Sequence, residues 1–158
     1  MSFQDVGITI IAVFVLAFSV VIGAVILYQF SENVPSKYTE LKDNVDDGLN
    51  VMYGFDKLII FFAVGMAVIS IISAFMINVH PIFFVIGILI NGVMIVLSIV
   101  FKDLWNNIVT STWIAPVVNN LPLTDLFLTN LPIFSLIISV LLAIAMYAGK
   151  NEGGYSYN

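Results

Sequence analysis

The chain has no cysteine, only one histidine, and charged side chains at 9% of its 158 positions. Each shortage removes a class of function. Without cysteine there is no disulfide, no thiolate nucleophile and no thiolate metal site. Arginine is also missing: the basic residues are Lys37, Lys42, Lys57, Lys102 and Lys150, against ten acidic ones, for a net charge of -5. A protein that neutralises phosphates needs basic side chains massed on one face, so direct nucleic-acid binding is not expected. The single histidine, His80, lies beside Pro81, far along the chain from the concentrated acids Asp43, Asp46, Asp47 and Asp56. A hydrolytic site needs nucleophile, base and orienting group at one place, and none can be assembled here. The acids also lack the spacing of a calcium loop. The sequence implies no catalytic residue, cofactor, metal or small-molecule substrate.

What the chain has in excess is apolar surface. At 61% hydrophobic it lies far outside the roughly 45–50% of soluble domains. Four runs are long enough to cross about 30 Å of hydrocarbon as helices: about 6–28, 58–77, 81–101 and 132–148. A cleavable signal peptide would have a basic start, a shorter apolar core and a small-residue cleavage site, whereas the only charged side chain before the first run is Asp5, so that run reads as a retained span. The second and third are separated only by Asn78, Val79 and His80, which predicts a tight helical hairpin with Pro81 opening the next helix. The expected fold is therefore all-α, a single integral-membrane four-helix bundle over residues 1–158.

Two longer polar segments, 31–57 and 102–131, would lie together on one membrane face as an amphipathic-helical cap. In the first, Tyr38, Leu41, Val45, Leu49 and Met52 recur three and four apart behind start signals at Asn33, Pro35 and Ser36. That spacing predicts an amphipathic helix, weakened at Gly48, either packed on its own bundle or offered to a membrane surface or partner. In the second, helical spacing continues through Trp105, Ile108 and Val109 towards Trp113, and Pro116 breaks it. Trp105 suits the membrane–water interface. Thr124 and Asp125 would then cap a short helix carrying Phe127. The candidate partner surface is Tyr38, Leu41, Val45, Leu49, Met52, Trp105, Trp113 and Phe127. Tyr155 and Tyr157 in the flexible tail 149–158 are further docking candidates. Four lysines on the long-loop side against Lys150 on the other would place the loops in the cytoplasm or interior.

Inside the spans no Asp, Glu, Lys, Arg or His is found, which disfavours a pump or ion-coupled carrier. Asn91 stands at the middle of the third span. It is either a pore-lining position or glue between helices, since an amide in lipid must find a partner within the protein. Gly87, Asn91 and Ser98 fall near one face of that span, and Gly65, Ser70 and Ser73 form a matching small, polar stripe on the second.

The layout resembles small multi-spanning membrane proteins of tailless, membrane-containing icosahedral double-stranded DNA viruses. The resemblance is carried especially by the run NNLPLTDLFLTNLP from Asn119 to Pro132, leading into a terminal span with a short polar tail. It implies a structural or assembly protein of a virion membrane, anchoring or organising capsid or membrane partners, itself included, at the bilayer. An oligomeric channel or holin-like permeability protein is the alternative. An accessory subunit of a host membrane complex is a third reading.

Overall fold

Proline and short polar side chains set where the helices stop and start. The computed structural model describes residues 3–75 and 81–149, and all the regular structure in them is helical. Helix α1 runs Phe3–Asn33. It ends where the Asn33 side chain donates back to the Gln29 carbonyl at 2.6 Å and Pro35 removes the next amide donor. Helix α2 begins at Thr39 and continues to Phe75. Helix α3 spans Pro81–Val109, α4 Ala115–Val118, α5 Pro122–Thr129 and α6 Leu131–Gly149. Prolines stand in the first turns of α4 and α5, where a missing N–H leaves nothing unsatisfied.

Four of these helices, α1, α2, α3 and α6, are long and apolar enough to cross a membrane. At the usual rise, α2 is about 55 Å long and exceeds any bilayer core. The expected amphipathic helix of segment 31–57 is thus not a separate element. It is the first half of α2, unbroken through Gly48, and its apolar stripe lies on α1: Val45 and Leu49 are buried and Met52 packs at Gly23. The third span likewise runs past Phe101 through Trp105 and Ile108, as their spacing predicts, but it ends at Val109: a turn replaces the helix there, short of Trp113 and of Pro116, the expected break, which stands instead in the first turn of α4.

Helix α2 packs along α1 and α6, and α3 packs along α6 and α1. The residues expected to turn between α2 and α3 lie outside the described ones, and among those described the two helices scarcely touch. The stripes Gly65/Ser70/Ser73 and Gly87/Asn91/Ser98 therefore do not meet each other. The physical reason is chain geometry: α6 and α1 each insert between α2 and α3, and their alanines, Ala17, Ala24 and Ala145, all fully buried, let them do so closely. The core divides in two. One cluster, around Ala17, Val21, Leu49, Trp105, Leu121 and Leu128, fills the end that carries α4 and α5. The other, around Ile10, Ala74, Met94 and Leu142, fills the far end.

A methyl group added at Gly54 would meet nothing within 4 Å. Glycine inside a helix is destabilising by roughly 0.5–1 kcal/mol relative to alanine, so Gly54→Ala should stabilise the protein by about that amount. Thermal unfolding in detergent should show a raised midpoint; a lowered one would mean that α2 is not continuous there.

Candidate functional site

Along α2 the inward stripe Val45, Leu49, Met52 continues at the same spacing to Asp56 and Ile59. A carboxylate has been placed on an apolar face. Asp56 is 5% exposed and is the only buried charged residue among those described. Such a group is tolerated only when its oxygens are fully engaged. Here they meet the first turn of α5: Oδ1 accepts from the Thr124 amide and hydroxyl, each at 2.7 Å, and Oδ2 from the Leu123 amide at 3.1 Å. The N-cap residue Leu121 has no side chain able to serve those amides. Asp56 thus caps α5 from another helix, with its negative charge at the positive end of the α5 dipole. Thr124, expected to cap the helix itself, lies inside its first turn and donates to Asp56 instead.

Beside this junction Trp105 is 1% exposed and donates Nε1–H to Asp125 Oδ1 at 2.8 Å. The Thr129 hydroxyl donates to the same oxygen at 3.3 Å. Trp105 is therefore packed inside the protein and not offered on its surface. The indole is drawn inward because its one donor finds a carboxylate there, so its whole ring can be buried without an orphaned N–H. A separate link joins α1 to α2, where the Ser31 hydroxyl donates to Asp46. Three carboxylates, Asp46, Asp56 and Asp125, thus hold neighbouring elements together at one end of the molecule.

At the middle of α3, Asn91 is buried, and both ends of its amide are hydrogen-bonded. Its Nδ2 donates to the Gly87 carbonyl at 3.1 Å, and its Oδ1 accepts from Ser139 of α6 at 3.2 Å. The amide joins α3 to α6, not to Ser70 or Ser73 of α2. Ser98 turns its hydroxyl to the Ile95 carbonyl of its own helix. Ser70 and Ser135 are buried without a hydrogen-bond partner, and both line a cavity of about 30 Å³ between α1, α2, α5 and α6. A methyl at Gly65 would meet nothing within 4 Å, so no close helix approach depends on that glycine; Ser73 is half-buried and Gly87 buried.

Of the candidate partner surface, Tyr38, Leu41 and Trp113 are exposed, whereas Val45, Leu49, Trp105 and Phe127 are buried in the chain's own core and Met52 is half-buried. Tyr155 and Tyr157 lie outside the described residues. Sequence reasoning missed Asp56, Asp125 and Ser139 as the groups that join helices. For Asp56 the signal was present, a charge on the inward stripe of an amphipathic helix. Ser139 carries no such mark. Among the described residues no three His, Asp or Glu side chains are grouped to hold a metal ion. Comparisons with protein-family models, with curated proteins and with solved structures find no match to this chain.

Replacing Asp56 by alanine leaves two amides and a hydroxyl unpaired and should cost about 2–4 kcal/mol. Asp56→Asn keeps one acceptor and should cost less. Chemical unfolding followed by circular dichroism ranks the two variants; equal stability to the parent would contradict the capping role. In the spans, Asn91→Leu and Ser139→Ala should each lose about 0.5–2 kcal/mol and be non-additive, since they remove one shared bond. A double-mutant cycle measures this.

Proposed function

We propose that this is a non-enzymatic structural or assembly protein of a membrane, in which a four-helix membrane bundle anchors a one-sided cap that binds partner proteins. The observation that carries the reading is the state of Asp56. A catalytic or ion-conducting carboxylate keeps an oxygen free for substrate, proton or ion, whereas both oxygens of Asp56 are occupied by the end of a neighbouring helix. Asn91 supports it in the same way, since its amide is spent on α6 and a backbone carbonyl. The buried polar groups with partners act as fasteners. Of the candidate partner surface, Tyr38, Leu41 and Trp113 remain exposed for a partner.

A virion membrane is the most specific version of this proposal, and it rests on the likeness of the layout and especially of the 119–132 run. Capsid or spike proteins would then be the partners, and many copies would stud one bilayer. A channel is the second reading, favoured by one observation: Ser70 and Ser135 present unpaired hydroxyls to a cavity between the spans.

Two measurements separate the readings. Cross-linking and mass spectrometry on the native membrane or particle should recover stoichiometric structural partners, and Trp113→Ala with Leu41→Ala should weaken that recovery without unfolding the protein. Purified protein in liposomes should conduct no ions; robust flux abolished by Ser135→Val would overturn the structural reading in favour of the channel.

A further inference from the structure

The apolar band of α1 is out of step with those of the other helices. Phe14 of α1 stacks on Phe101 of α3 with ring centroids 4.1 Å apart. On α3 that level is the edge of the apolar run, because Lys102 and Asp103 follow at once and Asn106 and Asn107 are exposed above them. On α1 no charged residue follows until Glu32. From Phe14 to Phe30 the helix rises about 24 Å at the usual 1.5 Å per residue, and its outer face remains apolar and open: Ile22, Ile26 and Phe30 are 45%, 62% and 50% exposed.

One flank of helix α2 shares this offset. The contact of Gly23 with Met52 and the bond from Ser31 to Asp46 fix the two helices as antiparallel neighbours. That register sets Val51 and Phe55 beside Ile22 and Ile26, and both are exposed too. At that height α1 and one flank of α2 expose Ile22, Ile26, Val51 and Phe55, with Asp47, Asn50 and Lys57 on the other flank of α2, while α3 exposes Asp103, Asn106 and Asn107 beside Leu104. Soluble surfaces rarely carry such a contiguous apolar face uncovered.

We propose that lipid acyl chains cover this face, so that the cap is half-submerged in the bilayer along α1 and α2 while its α3 side stands in water. Lipid is the occupant because the stripe is continuous with the lipid-facing surface of α1 below it, from Ile8 through Ile11 and Val15 to Ile22, without a charged break. A band oblique to the helix axes is accommodated by tilting the helices or by thickening the bilayer on one side. Either way the protein imposes asymmetry on the membrane around it. This inference rests on the membrane-spanning reading above and adds the direction in which the cap leans.

The absence of cysteine permits a direct test with single-cysteine variants Ile26→Cys and Val51→Cys, both at exposed positions, each labelled with a nitroxide. The full chain is reconstituted in phosphatidylcholine–phosphatidylglycerol vesicles, and collision rates with oxygen and with a water-soluble nickel chelate are measured. Labels at Leu89 and Val140 serve as span controls and one at Asn107 as the water control. The expected result is that labels at 26 and 51 resemble those at 89 and 140, oxygen-rich and several-fold less accessible to nickel than the label at 107. Nickel access equal to that at 107 would place the stripe in water and overturn the proposal. Low access to both reagents would show a protein contact, such as a second copy, and would overturn it as well. Nickel access at 89 and 140 would defeat the membrane-spanning reading itself, an outcome distinct from the other two.

Discussion

A helix that starts in an apolar environment has amide donors that must be answered from somewhere, and in this protein the answer for α5 comes from a different helix. The Asp56 carboxylate fixes the position of α5 on α2, and with it much else. α5 brings Asp125 under the Trp105 indole, which ties α3 into the same junction, and its end delivers the chain to Leu131, the first residue of α6. Without that bond the short helix would have no side chain to close its first turn. Its apolar residues would still favour burial, but their orientation would be free. The burial of apolar surface supplies the drive to collapse, and the carboxylate selects one arrangement among many similar ones.

The same logic divides the molecule into two regimes. At the end bearing α4 and α5, charged hydrogen bonds join elements that have little backbone regularity between them. Through the long helices, cohesion comes from close packing at alanine and from one amide–hydroxyl contact, Asn91 with Ser139. In lipid the hydrophobic effect no longer separates helix faces, so small residues and sparse polar bonds must choose the neighbours. They choose α6 for α3, and α1 and α6 for α2.

The four long apolar helices were legible in the sequence because apolar runs of that length leave few alternatives. Prolines 81 and 132 marked helix starts and Pro35 the gap before α2, whereas Pro116, read as the break of the third helix, opens α4 after that helix has already ended at Val109. The stripe from Tyr38 to Met52 was legible as helix, but its continuity with the span was not, because polar and apolar halves of one helix look like two elements when read by composition. Neighbour choice was less accessible still. Similar stripes of small and polar residues occur on α2 and α3, and short sequence separation suggested that they would face each other. The three-dimensional path of α1 and α6 decides otherwise, and no local pattern encodes it. The burial of Trp105 against Asp125 was not legible, because an exposed tryptophan and a buried one that has found a carboxylate look alike in sequence. The buried carboxylate was the recoverable miss, since spacing alone sets Asp56 on the inward face.

The architecture depends on α5 being held at its first turn by a carboxylate from α2. Amide hydrogen exchange on the reconstituted protein reads this at single residues. The Leu123 and Thr124 amides should exchange as slowly as those in the middle of α2, because both donate to a buried acceptor. If instead they exchange as fast as an open loop amide, the junction does not persist in the membrane and the architecture built on it is wrong.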